Sequence, residues 1–127
     1  MDLGKSFQQK VQVVIDLFKK ELPKVKKINA LVLFGSFARG VYSVRHSDVD
    51  LMIFLNQTQK NSALEEHIKK KIVQLSLGKA VSVHPIFQYC NIEQEDKSLM
   101  LTIAKEGEVL FARKTLVISG NILSYIL

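Results

Sequence analysis

The chain has 127 residues, 47% of them hydrophobic and 24% charged, with two prolines, one cysteine and a formal net charge of +6. That length suits one domain around one core, and that composition excludes a disordered or collagen-like polymer. A single cysteine rules out an intrachain disulfide and a cysteine-based zinc site, and no run of about 18 uncharged apolar residues is present to cross a bilayer.

The N-terminus carries Asp2, Lys5 and Lys10 and lacks the continuous apolar stretch of a signal peptide, so a cytoplasmic location is the default expectation. From Lys5 to Leu22, Phe7, Val11, Val14, Phe18 and Leu22 recur at intervals of four, three, four and four, which predicts an amphipathic helix ended by Pro23. Ala30 to Phe34 is a branched apolar run stopped by Gly35, as expected of a buried strand. A short helical turn and polar loop follow between Ser36 and Ser47, and Val49 to Leu55 reads as a second strand. Asn61 or Ser62 can cap a helix whose buried stripe is Leu64, Ile68, Ile72 and Leu75, with Gly78 as its stop. Ala80 to Phe87 gives a third strand, and Glu95 to Glu106 a helix presenting Leu99, Met100 and Ile103.

The order is therefore α-β-α-β-α-β-α in a single domain over 1–127, an α+β chain. Residues 113–127 form an apolar extension, longer than a minimal core needs and expected to pack in an oligomer or partner interface. Cys90 reads as a small buried hydrophobe. The lysines at positions 19, 20, 24, 26 and 27 and at 69 to 71 read as solvated helix faces without interleaved aromatics, so charge supports nucleic-acid binding only weakly.

The chemistry is concentrated between Leu31 and Phe54. A buried strand runs into Gly35-Ser36 at the start of a helix, where a residue without a side chain lets phosphate oxygens approach backbone N–H groups and the Ser36 hydroxyl adds a donor. Asp48-Val49-Asp50 then enters the next strand, and alternation sends both carboxylates to one face while Val49 enters the core. Paired carboxylates are most readily accommodated by a hard divalent cation such as Mg²⁺ or Mn²⁺. Each device alone has a plainer reading, as a turn or a solvated strand end. Together they describe an anion seat facing a cation seat, which suits a metal-bound triphosphate.

Phe34-Gly-Ser-Phe-Ala-Arg-Gly40 with Ser47-Asp-Val-Asp-Leu51 resembles the minimal nucleotidyltransferases of the DNA polymerase β superfamily. The resemblance extends over roughly the whole chain, with Ile103 to Phe111 similar to the family's closing segment. It implies a small mixed sheet with antiparallel pairs and flanking helices, and ATP or another NTP as donor with Mg²⁺ or Mn²⁺. By motif position, Gly35 and Ser36 would hold the β and γ phosphates and Ser47 would line the nucleotide site. Asp48 and Asp50 would be the catalytic metal ligands. Arg39 would sit by the phosphates or brace the motif helix through a salt bridge. The implied reaction moves a nucleoside monophosphate, AMP from ATP, to a hydroxyl. Minimal members often act with a separate helical partner and some are antitoxins that adenylylate a toxin, so a protein acceptor is the first expectation.

Two departures stand out. Eleven residues separate Ser36 from Asp48, one more than the commonest arrangement, which a longer loop at Val41 to His46 absorbs. More seriously, active members carry a third carboxylate on the next strand, and Ala80 to Phe87 contains no acid. His84 shares a face with Ser82 and could turn to the aspartates as a ligand or weak base; alternatively it bonds locally before Pro85 or faces solvent. The missing acid leaves open a second function, a catalytically weakened module that binds a nucleotide or a partner.

Overall fold

A computed structural model describes residues 3–35, 49–76, 81–89, 107–113, 115–119 and 122–126. Helix α1 runs Leu3–Glu21 and buries Val11, Val14 and Phe18 of the predicted stripe, with Ile15 added beside them. It gives way to a 3-10 turn, Leu22–Lys24, which contains Pro23 and buries Leu22. Strand β1, Ile28–Phe34, begins two residues earlier than the apolar run suggests and is buried along its whole length. Strand β2 spans Val49–Leu55, α2 Ser62–Ser76 and β3 Val83–Tyr89.

Three further strands have no counterpart in the order read from the sequence: β4, Glu108–Ala112; β5, Thr115–Ser119; and β6, Ile122–Ile126. The extension at 113–127 thus contains an antiparallel hairpin, β5–β6, which forms a two-stranded sheet of its own. The expected turn after Ser36, Gly78, Cys90 and the helix 95–106 lie outside the described residues.

The main sheet has the order β3-β2-β1-β4, with β1 antiparallel to both β2 and β4 and β2 parallel to β3. This is the mixed sheet with flanking helices that the resemblance implies, an α+β architecture. Leu31 and Leu33 of β1 and Val49, Leu51, Ile53 and Leu55 of β2 share one core cluster with the buried faces of α1 and α2. The alternate positions of β2 take the opposite face, where Met52 and Phe54 are fully buried and Asp50 is the polar member. No described helix is long and apolar enough to cross a membrane.

Two polar clamps hold the frame. Beyond β4, Arg113 donates from Nε to the Ile28 carbonyl at 2.9 Å and from its terminal nitrogen to the carbonyls of Pro23 and, at 3.4 Å, Val25. Its guanidinium also lies 5.0 Å from the centre of the Phe111 ring. One side chain thereby ties the end of β4 to the segment that feeds β1. Arg113→Ala is expected to lower stability by about 1–2 kcal/mol in urea denaturation, because these bonds have a charged donor but are partly solvated. An unchanged midpoint would show that water replaces the guanidinium without cost.

At the other edge, the Tyr89 hydroxyl donates to Glu65 Oε2 and accepts the Asn61 N–H at 2.9 Å, while Asn61 Oδ1 accepts the Leu64 N–H at 3.0 Å. Asn61 is therefore the helix cap, and Tyr89 ties that capped end to β3. Burial pushes the Tyr89 hydroxyl above its ordinary value of 10.0; the neighbouring Glu65 carboxylate adds to this and the Asn61 N–H opposes it. The unfolded chain loses this proton near pH 10 while the folded chain keeps it. The contribution is thus complete below that pH and is lost as the pH rises through the folded value. Tyr89→Phe is expected to cost about 1–2 kcal/mol at neutral pH. It should also flatten the fall in denaturation midpoint above pH 10, and an equally steep fall in both proteins would contradict this.

Candidate functional site

The site is assembled where three strands meet side by side. Strand β1 ends at Phe34, and Gly35 turns the chain with φ of +80°, a left-handed conformation that side chains other than glycine's adopt only with strain. Asp50, the second residue of β2, is the register partner of Phe34 on one side and of His84 on the other. Register partners share a face, so Phe34, Asp50 and His84 form a row across the sheet.

Close approach fixes the row at both ends. A Cβ added at Gly35 would run into the Asp50 carboxylate, lying 3.0 Å from its Cγ and 3.2 Å from its Cβ, so the aspartate occupies the space that the absent side chain leaves. On the other flank, His84 Nδ1 lies 3.4 Å from Asp50 Oδ1. The Asp50 side chain is 26% exposed and that of His84 60%, so the pair opens to solvent while its backbone stays inside the sheet.

Of the residues singled out in the sequence, Gly35, Asp50 and His84 are brought together here. Ser36, Arg39, Ser47 and Asp48 lie outside the described residues. For His84 both features that alternation left open occur together: the imidazole stands largely in solvent and also faces the aspartate. What the sequence lacked was the pairing partner of β3, which the parallel register with β2 supplies.

A carboxylate oxygen and an imidazole nitrogen at this spacing can serve one divalent ion, because two donors at about 2.1 Å and right angles to each other lie about 3 Å apart. Among the described residues no cluster of three or more metal-ligating side chains occurs. The donors among the described residues are therefore Asp50 and His84.

Residues 12–116 match the family described as polymerase β, nucleotidyltransferase. No curated protein matches the chain significantly. Among solved structures, a chain of the toxin–antitoxin pair MntA–HpeT aligns with 88% of this chain and 74% of its own length, at 20% identity and a TM-score of 0.51. A chain of a toxin–antitoxin structure with AMP-PNP aligns with 83% of this chain and 73% of its own, at 23% identity and a TM-score of 0.50. These likenesses concern the fold. The family match is the stronger finding, since it spans β1 to β4 and the whole candidate site.

Proposed function

The chain belongs to the polymerase β nucleotidyltransferase family, and we propose on that premise that it transfers AMP from ATP to a hydroxyl group of a partner protein. The observation that carries the proposal is the fit of the Asp50 carboxylate against the bare backbone of Gly35, which sets an anionic ligand at the end of the motif strand. In this reading Gly35, with Ser36, Arg39 and Ser47, receives the triphosphate through backbone N–H groups and polar side chains.

Asp50, together with Asp48, is assigned to hold the divalent metal that the family generally uses, with Mg²⁺ or Mn²⁺ as the proposed ion. When bound, such an ion neutralises phosphate charge and favours attack at the α-phosphorus. The acceptor oxygen forms a bond to that phosphorus, the bond to the bridging oxygen breaks, and pyrophosphate leaves with the electron pair. The hydroxyl proton passes to a nearby base or to water. The chain contributes position and charge and forms no covalent bond to the nucleotide.

A protein acceptor is favoured by the toxin–antitoxin setting of the two structural neighbours, one of which was solved with AMP-PNP. A cytoplasmic antitoxin that adenylylates its toxin is the most specific form of the proposal. The apolar sequence of the β5–β6 hairpin makes it the surface we assign to the partner or to a second copy. Incubation with ATP labelled at the α-phosphate, Mg²⁺ and the candidate partner is expected to label the partner and release pyrophosphate. Label from a γ-labelled donor, or none from either, would remove the proposal.

One observation favours a second reading. Strand β3 carries no acid, which suits a module that binds nucleotide or partner with little turnover. Neutralisation of the partner by an Asp50→Ala protein that transfers nothing would support it.

A further inference from the structure

The position across the sheet from Asp50 on β3 is occupied by an imidazole, and the geometry there goes beyond a vacant acid position. We infer that His84 is a nitrogen donor to the cation held by Asp50, and that the site therefore prefers Mn²⁺ to Mg²⁺. The inference rests on the nucleotidyltransferase reading and specifies the metal chemistry of that same site.

Register fixes the first part. The β2–β3 pairing is parallel and continuous from Val49 opposite Val83 to Leu55 opposite Tyr89, so Asp50 and His84 cannot be separated without slipping the whole strand. Pro85 disfavours helical backbone at His84 and keeps it extended. The missing N–H of Pro85 is tolerated because β3 is an edge strand.

Separation and exposure fix the second. His84 Nδ1 is 3.4 Å from Asp50 Oδ1, and an ion seated between them would draw the two donors together by only a few tenths of an ångström. The imidazole is 60% exposed, so it can adjust about its side-chain torsions without disturbing the core.

Donor chemistry fixes the preference. Mg²⁺ demands an octahedron of oxygens and gives up water reluctantly, so a nitrogen donor gains it little. Mn²⁺ accepts oxygen and imidazole nitrogen in the same shell, and later first-row ions bind nitrogen more tightly still. A carboxylate in the place of His84 would remove the advantage that nitrogen gives Mn²⁺ and shift the balance toward Mg²⁺.

The test titrates the full-length protein with Mn²⁺ by electron paramagnetic resonance, with Mg²⁺ as competitor, and records the pulsed spectrum of the bound Mn²⁺. The wild type is expected to hold Mn²⁺ at least about tenfold more tightly than Mg²⁺ and to show nitrogen-14 coupling. His84→Ala should lose the coupling and about tenfold in Mn²⁺ affinity while leaving Mg²⁺ almost unchanged. His84→Asp should also lose the coupling and tighten Mg²⁺ binding. Absence of coupling in the wild type, its persistence in either variant, or an unchanged ratio of the two affinities in His84→Ala overturns the inference. Asp50→Asn separates this failure from that of the underlying reading. If it loses both ions while His84→Ala changes neither, the His84 inference alone falls; if it binds both as the wild type does, the transferase site falls as well.

Discussion

Asp50→Asn is expected to abolish nucleotidyl transfer, by about 10³-fold or more, while the protein unfolds within about 1 kcal/mol of the wild type. The two halves of this expectation have different causes. Asparagine has nearly the same shape as aspartate, so it still fits against the bare backbone of Gly35 and keeps the register of β2 between Phe34 and His84. The charge is what disappears. An amide oxygen is a far weaker ligand for a hard divalent ion than a carboxylate, and several kcal/mol of charge stabilisation at the reacting phosphate corresponds to the stated loss of rate. Labelled transfer to the partner, with thermal denaturation run in parallel, checks both halves. A variant that transfers at a wild-type rate would move the metal ligand elsewhere, and one that unfolds would make Asp50 a structural residue.

The described part of this site, Gly35 and Asp50, is legible in the sequence because its signals are local. Phe34-Gly35 and Val49-Asp50 read as strand end and strand start because apolar runs stop and begin there, and both boundaries agree with β1 and β2. Helix α2 follows its periodic stripe, and of the two candidate caps, Asn61 and Ser62, it is Asn61 that caps it. Elements whose identity depends on distant pairing were harder to read. The sequence suggests a third strand from Ala80 to Phe87, but pairing with β2 begins at Val83 and carries it to Tyr89. Its late residue Gln88 is polar yet buried, with its amide donating to the Tyr89 carbonyl, so hydropathy gave no sign that the strand continued.

Strand β4 has only five residues and lies against β1, about eighty positions earlier in the chain, too short a segment for a period to emerge. The final hairpin did carry a signal. Gly120-Asn121 between two apolar runs is a hairpin signal in the sequence, and Ser119 is paired with Ile122. Reading that stretch as an undifferentiated apolar tail overlooked the turn. The partner of His84 belongs with the pairing problem, because alternation gives a face but only the register of two strands gives a neighbour.

Gly35→Ala should be the most damaging substitution of a residue that contributes no side chain. At φ of +80° an alanine costs about 1–2 kcal/mol in backbone strain alone. The new methyl would also lie 3.0 Å from Asp50 Cγ, tighter than ordinary packing. Strand β2 is held on both sides by β1 and β3, so the backbone at Asp50 has little room to retreat and the carboxylate must swing. A denaturation midpoint lower by about 4–10 °C is expected, with transfer reduced by about 10²-fold or more, since a displacement near 1 Å is enough to misplace a reacting group. Comparison in an Asp50→Ala background separates strain from collision: without the carboxylate, Gly35→Ala should cost measurably less stability. Equal costs in the two backgrounds would mean that the glycine serves only its own backbone conformation, and that the close fit between elbow and aspartate contributes nothing to the site.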